Sequence, residues 1–431
     1  MHFKTDINEN RIIKKRIWIF HHYATPPTMS GLTRPYYFGI NLNEIGFKTT
    51  VFAASHLHYT NDNLIKNNNL YMVNNDTEIP FVFVKTPSYT NGLERAFNMI
   101  IYYKNLFNVT KKFVIKGEEP DLIIASSPHP LSMVAGIRIA KKLKVPCICE
   151  VRDFWPEVFF LGDIIQENSL IGRLLTKCEH WIYKKAKALI FLKEGDYNYI
   201  IDKKWDLDHG GDIDLQKCYY INNGVDIEEF NHLKYNEILK DDDLVGEKFK
   251  VIYVGAIRPV NNVGNIIAAA KLLRDNENIQ FLIYGDGNLL NPLKKMIQEE
   301  NLTNIKMKGY VDKKYIPYIL SKSNVNILNY SQNKYNWSRG NSSNKLFEYM
   351  ASGKPIISTV KMGYSPIEKY NCGMSLEEDT PEALSKAVLK IFNMSEDKYN
   401  EISINARLGV KDFDYKELTK KLISVMESQL L

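Results

Sequence analysis

The residues best suited to chemistry lie in the segment SRGNSSNKLFEYMASGKPII, residues 338–357. A loop of Gly, Asn and Ser leads there into a helical pattern whose first turn holds Asn344 and Lys345. Free backbone N–H groups, the positive end of the helix and an ammonium would converge on one point, which suits a diphosphate. Glu348 lies three residues after Lys345 on the same side, where its carboxylate could accept hydrogen bonds from a ribose diol. A capped amphipathic helix with solvated Lys and Glu is the alternative, and the local pattern leaves both open.

Three further loops carry glycine or arginine behind apolar runs. Gly255 ends the run 249–254 and Arg258 follows it, where a guanidinium could bind phosphate oxygens. Gly285, in YGDG, would permit a close approach of the backbone to a ligand, and Gly31, after PPTMS, could let the loop behind the first strand face the same ligand. Each of these positions could equally belong to a solvated loop or a plain turn.

The first half of the chain offers a second group of candidate residues. Arg152 and Asp153 follow the apolar run 147–151, and Asp153 could contact a sugar or orient an acceptor, or simply cap a turn. His129, in SSPHP, could also reach a ligand cleft, although a solvated loop histidine is the simpler interpretation. Asp153 with Glu348 would be the pair for a glycoside hydrolase, which needs two acids on opposite sides of the scissile bond. No hydrolase motif joins them.

Metal-binding patterns are weak. The loop DLDHGGDID, residues 206–214, contains two Asp-x-Asp pairs like those of metal-dependent transferases, but its polar, glycine-containing sequence favours a solvated loop. The five cysteines are scattered, as expected in a reducing compartment. Cys147 and Cys149 alternate in an apolar run and fit a buried strand better than a zinc site. We therefore expect no metal ion and no other cofactor.

Short apolar runs alternate with longer helical patterns, which predicts parallel sheets flanked by helices. A chain of 431 residues exceeds the usual size of one hydrophobic core. The polar stretch 231–248 interrupts the alternation, which begins afresh at Phe249. We predict two doubly wound α/β domains, residues 1–235 and 245–411, with a C-terminal helix, 412–431, that packs back on the first. Such sheets bind ligands outside the carboxyl ends of their strands.

The composition is that of an ordinary globular protein, with 45% hydrophobic and 25% charged residues, which excludes collagen-like, coiled-coil and largely disordered chains. The net charge of +6 is uneven, because residues 1–200 hold 25 Lys and Arg against 18 Asp and Glu. The longest apolar runs are far shorter than a membrane span and the polar start has no signal-peptide core. We expect a cytoplasmic protein. Peripheral attachment to the cytoplasmic face of the inner membrane is the alternative localisation to test.

The expectation of membrane attachment depends on the helical pattern 170–188. One side is predicted to be basic, and the opposite side to be apolar and to pack on the sheet. The basic side would face outward, where it could meet anionic lipid or remain solvated. Nucleic acid is a weaker partner, because no aromatic platform or known binding module lies near these lysines. The basic residues are Arg173, Lys177, His180, Lys184 and Lys187, and the apolar ones Ile171, Leu174, Leu175, Cys178 and Ile182.

Several motifs together resemble a known family. INNGVDIEEF (221–230), YVGAIR (253–258), IYGDG (283–287), GYV (309–311) and NKLFEYMASGKPII (344–357) are similar to the retaining nucleotide-sugar glycosyltransferases of family 4, which have the GT-B fold of two Rossmann-like domains facing across a cleft. More narrowly, TRPYYF (33–38), KTPSYTNGLERAFNM (85–99) and EVRDFWPE (150–157) resemble the branch that builds bacterial O-antigens and capsules. In that branch an amino or deoxyamino sugar is often moved from UDP.

The resemblance implies roles for individual residues. Glu348 would bind the ribose, and Lys345 with Arg258 would hold the diphosphate. Arg152 stands where many members have the His of a His-Asp pair, so Asp153 is the better candidate for the sugar or acceptor. Catalytic roles are therefore assigned to Lys345, Arg258, Asp153 and Glu348, and acceptor or sugar contacts to His129 and Arg152. The nucleotide-sugar contacts would be Gly31, Gly255, Gly285, Tyr310, Val311, Gly340, Ser342, Ser343, Asn344, Leu346 and Glu348.

The chain departs from the family pattern at two places. Gly340 stands where the first Glu of the Glu-x7-Glu motif is usual, so backbone donors of the loop 340–344 would replace its carboxylate. Ala256 follows the glycine of the first strand, and the usual Lys position falls near Asn261, which leaves Arg258 and Lys345 as the remaining cations.

The implied reaction is a retaining, metal-independent transfer of a hexose from a UDP-sugar to a lipid-linked or saccharide acceptor, without an enzymic nucleophile. The leaving diphosphate would help to deprotonate the acceptor hydroxyl. Two alternatives remain open at this stage. One is a non-hydrolysing UDP-sugar 2-epimerase, and the other is a catalytically weak GT-B subunit that binds a partner enzyme or a lipid.

Overall fold

The computed structural model describes residues 15–332 and 336–430, which divide into two compact units. The first comprises residues 15–192, 197–221 and 419–430, and the second comprises 193–196 and 222–418. The stretch 231–248, predicted to separate two domains between residues 235 and 245, lies inside the second unit. It contributes to two helices. Phe230, just before this stretch, and Leu244, within it, are both buried in the second core. Apolar residues spaced among the charged ones thus make this polar sequence part of a domain.

The first unit is an eight-stranded sheet with helices, in the order β3-β4-β2-β1-β5-β6-β7-β8. Of its described strands β3 pairs antiparallel with β4, and the other pairings are parallel. The strands are β1 (Arg16–His21), β2 (Lys48–Ala54), β3 (Tyr71–Asn74), β4 (Phe81–Val84), β5 (Leu122–Ser126), β6 (Cys147–Val151), β7 (Ala188–Phe191) and β8 (Cys218–Tyr220). The helices are α1 (Arg34–Glu44), α2 (Gly92–Ile115), α3 (Pro130–Leu143), α4 (Glu157–Leu161), α5 (Leu170–Lys185) and α6 (Asn198–Asp202).

The second unit is a six-stranded parallel sheet in the order β11-β10-β9-β12-β13-β14. Its strands are β9 (Phe249–Val254), β10 (Ile279–Tyr284), β11 (Ile305–Gly309), β12 (Val325–Leu328), β13 (Ile356–Ser358) and β14 (Gly373–Ser375). Its helices are α7 (Ile227–Asn236), α8 (Asp242–Val245), α9 (Val263–Leu272), α10 (Leu290–Glu299), α11 (Ile316–Ser321), α12 (Asn344–Ser352), α13 (Pro366–Lys369), α14 (Pro381–Phe392) and α15 (Glu396–Gly409). A last helix, α16 (Tyr415–Leu430), begins in the second unit and ends in the first.

The cores follow from the apolar periodicity of these elements. On α2 the residues Tyr102, Leu106, Val109 and Phe113 recur at helical spacing and are all buried in the first core. The strand β10 is buried along its whole length, as expected for a parallel strand covered by helices on both faces. The alternating elements therefore form the two Rossmann-like α/β domains predicted from the sequence.

Strand order reverses at β1 in the first sheet and at β9 in the second. At such a reversal the loops at the carboxyl ends of neighbouring strands diverge and leave a crevice, where open parallel sheets bind ligands. The loop with Gly31 follows β1, and the loop with Gly255 and Arg258 follows β9. The topology thus places both predicted loops at the reversal points.

The helix α5 corrects the prediction for residues 170–188. The predicted apolar side does not pack on the sheet along its length, because Ile171 and Leu174 are exposed to 61% and 67%. The buried residues are Gly172, Glu179, Ile182 and Tyr183. Glu179 accepts hydrogen bonds from the hydroxyls of Tyr183 and Tyr199, which allows a carboxyl group on the inner side of the helix.

The predicted basic side of α5 is corrected as well. The helix ends at Lys185, so Lys187 lies beyond it. His180 and Lys184 both pair with Asp212, at 2.9 and 2.5 Å. Arg173 and Lys177 are exposed, and neither forms an ion pair with a described residue. Over residues 15–332 and 336–430, no helix is both long and apolar enough to cross a membrane.

Candidate functional site

The glycine loops behind three neighbouring strands of the second sheet are joined by backbone hydrogen bonds. Gly255 N donates to Tyr284 O at 3.0 Å, and Gly285 N donates to Gly309 O at 2.7 Å. A β-carbon at Gly285 would lie 1.8 Å from the carbonyl oxygen of Gly255, and the φ angle of Gly285 is +146°. A side chain is therefore excluded at Gly285. Without one, the carboxyl ends of β9, β10 and β11 form a continuous edge at Gly255, Gly285 and Gly309, which we term the glycine rim.

The helix α12 begins at this edge of the sheet and leaves its start without a side-chain cap. Ser343 occupies the N-cap position, but its hydroxyl caps no helix N–H group and is buried without a hydrogen-bond partner in the described chain. The first turn contains no acidic residue. The positive end of the helix and a buried hydroxyl thus remain available to an anion.

Lys345 stands in this first turn and points at the glycine rim. Its Nζ lies 3.3 Å from the hydroxyl of Tyr253, and it lies 4.8 and 4.5 Å from the ring centres of Tyr253 and Tyr330. A β-carbon at Gly255 would be 3.1 Å from Nζ. Burial lowers the pKa of Lys345 to about 7, and the nearby carboxylate of Glu348 opposes this shift. The ammonium is therefore held among aromatic rings with its charge largely uncompensated.

Glu348 lies one turn further along α12 and is partly buried. Burial raises the pKa of its carboxyl group, while Lys313 and Lys345 lower it. Leu346, between the two, is fully buried in the second core, so only its backbone can serve a ligand. The structure thus brings Lys345 and Glu348 onto one side of the helix as the i, i+3 spacing predicts.

Arg258 is exposed in the loop behind β9, immediately before a 3₁₀ turn at Pro259–Asn261. It forms no ion pair with a described residue. The amide of Asn329 holds the turn, donating to the carbonyl oxygens of Asn261 and Asn262 at 2.7 Å each. This buried asparagine was not predicted, because its partners are distant in sequence and no local pattern marks them.

The loop that precedes α12 is held by hydrogen bonds from a distant segment of the same unit. The amide nitrogens of Asn222 and Asn223 donate to the carbonyl oxygens of Asn341 and Ser342, at 3.1 and 2.6 Å. The adjacent Gly340 has a φ of +104°, a conformation that favours glycine over the glutamate usual in the family motif. The segment INNG carries these asparagines, and it is the one sequence signal that could have identified them as loop supports.

Tyr310 and Val311 follow β11 at the same edge. Tyr310 is 67% exposed, and Val311 is half-buried. The exposed ring leaves room for a planar ligand group beside the rim. The predicted residues of the second unit, from Gly255 to Glu348, therefore all lie at the carboxyl edge of its sheet or on the start of α12.

The first unit has a buried ionic cluster at the carboxyl end of β6. Arg34 Nε contacts Glu150 Oε2 at 2.8 Å, and Arg152 Nη1 lies 3.7 Å from Glu150 Oε1. The two guanidinium groups overcome the effect of burial and hold the pKa of Glu150 at about 2. Arg152 is thus within ion-pair distance of Glu150 without a hydrogen bond to it, and Asp153 is exposed.

His129 differs from the sequence-based expectation. It precedes α3 and is completely buried, not solvated in a loop, and its ring centre lies 4.6 Å from that of His22. Burial lowers its pKa to about 3, so the ring is neutral at physiological pH. Both of its ring nitrogens are without hydrogen-bond partners in the described chain, as are those of His21 and His22.

Gly31, in the loop behind β1, packs against Thr25. A β-carbon at Gly31 would lie 2.2 Å from the hydroxyl oxygen of Thr25.

Carboxylates, cysteines and histidines of residues 15–332 and 336–430 form no group of three that could hold a metal ion. In the loop 206–214, Asp206 contacts His209 at 2.7 Å, and Asp212 contacts His180 and Lys184. One aspartate of each Asp-x-Asp pair is thus engaged with side chains of the same unit.

Two glycosyltransferase families match the chain. Residues 235–409 match the family Glycosyl transferases group 1, and residues 78–208 match the family Glycosyl transferase 4-like domain. The first match contains the glycine rim and α12, and the second contains Glu150 and Arg152 of the ionic cluster at β6. The two matches indicate a GT-B glycosyltransferase. The predicted resemblance to family 4 is confirmed at this level.

Individual glycosyltransferases are similar over most of their length. The uncharacterized glycosyltransferase MJ1178 of Methanocaldococcus jannaschii is 23% identical over 336 residues, which are 77% of this chain and 82% of that protein. HepE of Anabaena in complex with UDP has a TM-score of 0.67 at 14% identity and covers 96% of this chain and 100% of its own. WaaG, a glycosyltransferase involved in lipopolysaccharide biosynthesis, has a TM-score of 0.64 at 13% identity, covering 95% and 99%. The GT-B fold predicted from the sequence is confirmed by these structures.

Proposed function

We propose that this glycosyltransferase is a retaining, metal-independent enzyme that moves an N-acetylamino or deoxyamino hexose from a UDP-sugar. The acceptor is a lipid-linked or saccharide hydroxyl in bacterial surface polysaccharide synthesis, at the cytoplasmic face of the membrane. One observation carries the proposal: the uncapped start of α12 and the Lys345 ammonium converge on the glycine rim, an arrangement that would suit a diphosphate. HepE, with its bound UDP, and WaaG support the choice of donor and pathway.

In the proposed reaction the acceptor oxygen attacks the anomeric carbon on the face from which UDP leaves. The bond from that carbon to the diphosphate oxygen breaks, the new glycosidic bond forms, and the acceptor proton passes to the departing diphosphate. Negative charge grows on the diphosphate during this step. Lys345, Arg258 and the N–H groups of α12 would stabilise this charge, which is electrostatic catalysis.

Glu348 would hold the ribose hydroxyls, which fixes the nucleotide with its diphosphate at the start of α12. The backbone of the loop 340–344, held by Asn222 and Asn223, would serve the sugar hydroxyls where the family uses a carboxylate. Asp153 would orient the acceptor in the first unit, with Arg152 retained by Glu150.

Thermal shift with UDP, GDP and ADP tests donor binding. A nucleotide at 100 times its dissociation constant stabilises the native state by about 2.7 kcal/mol, which raises the melting temperature. We expect UDP to give the largest shift and Lys345→Met to abolish it, while Lys354→Met, an equal change two residues beyond the end of α12, keeps it. Equal or absent shifts for all three nucleotides would contradict the proposal.

Turnover distinguishes the alternatives. Release of UDP from a UDP-sugar that requires an acceptor, with the anomeric configuration retained in the product, is the expected result. Epimerisation of the donor without an acceptor would identify a 2-epimerase. Gly340, which stands where the family usually has a glutamate, favours a second candidate function, that of a catalytically weak nucleotide-binding subunit. Nucleotide binding without turnover on any acceptor would identify this function.

A further inference from the structure

Five cations meet at the amino edge of the second sheet, where β9, β12 and β13 begin, and we term them the basic cluster. Lys354 is half-buried between the end of α12 and the start of β13. Burial and the positive charges of the four other members lower the pKa of its ammonium group. Lys354 is therefore held among like charges. The members are Lys234, Lys250, Lys322, Lys354 and Arg407.

The fold brings these residues to one place although they are distant in sequence. The N–H group of Asn324 donates to the carbonyl oxygen of Lys250 at 2.9 Å, which aligns the starts of two neighbouring strands. Arg407 reaches the same edge from α15, because its Nε lies 2.2 Å from where a β-carbon on Gly353 would stand. Its guanidinium group thus lies across the end of α12, next to Lys354.

The charge of the basic cluster is compensated only in part. None of its members forms an ion pair with a residue of 15–332 or 336–430. Lys250 donates instead to the carbonyl oxygens of Gly246 and Lys248, at 2.5 and 3.1 Å. The helices α7, α11, α12 and α15 also end beside the cluster, and each end carries about half an elementary negative charge. Roughly two negative charges thus face five positive ones, an excess that suits an anion.

A buried hydroxyl group of α15 indicates a ligand independently. Ser403 lies one turn before Arg407 on the same side of the helix and is 6% exposed. Its Oγ has no hydrogen-bond partner in the described part of the chain. One turn earlier, the hydroxyl of Tyr399 donates to the carbonyl oxygen of Asn324 at 2.8 Å, which holds this side of α15 against the amino edge of the sheet. A buried polar group without a partner costs free energy, which a bound oxyanion would recover.

We propose that the basic cluster is a second anion site, which binds a soluble phosphate-type anion with several negative charges, such as pyrophosphate. Lys354 and Arg407 bind the phosphate oxygens, and the hydroxyl of Ser403 donates to one of them. The anion holds the ends of the four helices together and so stabilises the second unit. The site is distinct from the donor site of the proposed function, because nine residues of chain, roughly 13 Å of helix, separate Lys354 from Lys345.

Thermal shift and calorimetry with pyrophosphate test the site. Sodium chloride at equal ionic strength is the reference, because charge screening depends on ionic strength alone. We expect pyrophosphate to raise the melting temperature of the wild type and of Lys345→Met, which lacks the donor-site cation. K354Q/R407Q should bind pyrophosphate at least about tenfold more weakly, because each lost hydrogen bond from a charged group costs about that factor or more. The matched pair K386Q/K390Q, exposed on α14, should bind like the wild type.

The excess of positive charge also predicts an effect that needs no ligand. K354Q should raise the melting temperature by roughly 2 °C at low salt, because it removes a half-buried charge from among four like charges. The gain should shrink at high salt, which screens the repulsion. K386Q, which removes an exposed charge from α14, should leave the melting temperature unchanged.

A pyrophosphate shift no larger than that of sodium chloride would overturn the proposal. A shift that Lys345→Met abolishes and K354Q/R407Q keeps would do so too, since the anion would then occupy the donor site alone. Binding to phosphatidylglycerol vesicles without binding of free pyrophosphate would assign the cluster to lipid headgroups and contradict a soluble ligand. The UDP shift, which K354Q/R407Q should retain, shows that this variant is folded and separates failure of the second site from failure of the proposed function.

Discussion

The lowered pKa of Lys345 predicts that nucleotide binding takes up a proton. In the nucleotide-free protein this pKa is about 7, because the ammonium is buried between Tyr253 and Tyr330. A bound diphosphate would return the pKa toward its ordinary value of about 10.4. The charged form binds the anion, so affinity should fall as pH rises through 7.

The two pKa values set the size of the effect. The protonated fraction of free Lys345 falls from about one half at pH 7 to about one hundredth at pH 9, while the bound lysine stays charged. The dissociation constant for UDP should therefore rise about 50-fold over this range, or roughly 2.3 kcal/mol. The range begins at pH 7 because a phosphate monoester loses its second proton near pH 6.

Isothermal titration calorimetry measures both consequences. At pH 8, titrations in buffers of different ionisation enthalpy should show about 0.9 proton taken up per UDP bound. Lys345→Met should bind weakly with no uptake, and Lys345→Arg, which cannot lose its charge, should show a flat pH profile wherever it binds. A constant UDP affinity between pH 7 and 9, or an equal slope in Lys345→Met, would refute this explanation.

Three further predictions concern residues that support the two units. Gly285→Ala should lower the melting temperature and abolish UDP binding, because its β-carbon would meet the Gly255 carbonyl at 1.8 Å; an unchanged melt would contradict the close approach. Asn223→Ala should weaken UDP-sugar binding about three- to tenfold more than UDP binding in calorimetry, because it removes one support of the sugar-side loop, and an equal effect on both ligands would argue against that assignment. The pKa of the Glu179 carboxyl group is about 8 in the folded protein and about 4.3 in the unfolded chain. Its contribution to the stability of the native state is therefore complete below pH ~4.3 and is lost as the pH rises through 8. Thermal melts at pH 5 and 8 should show this loss in the wild type and a smaller one in Glu179→Gln.

The alternation of apolar runs and helical patterns was sufficient to predict the fold, because parallel strands covered on both faces are continuously apolar in sequence. The chain segment from Asn344 to Glu348 was also predictable, since a helix start and an i, i+3 pair are local features. Their assignment to a diphosphate and a ribose stays a prediction. The supports of these residues were not foreseen, because Asn329 and Asn223 act on carbonyl groups that are distant in sequence.

The helix α5 shows a second limit of sequence reasoning. Its periodicity separates leucines from lysines, and the usual rule places leucines inside. Burial of Glu179 depends on Tyr199, which lies outside the helix, and on the turn that covers Gly172. A contact with another segment thus decided which side of the helix faces the core, and no periodicity within the helix could reveal it.

The end of α16 belongs to the first unit, and this has a consequence for synthesis on the ribosome. Leu422, Val425 and Met426 are buried there, yet almost 200 residues of the second unit separate them from Ile221. At about 5–20 residues per second, the first unit waits roughly 10–40 s for the helix that completes it. During this interval an apolar face of a nearly finished domain stays open to water. Nascent chains should therefore recruit chaperones at that face until the final helix emerges.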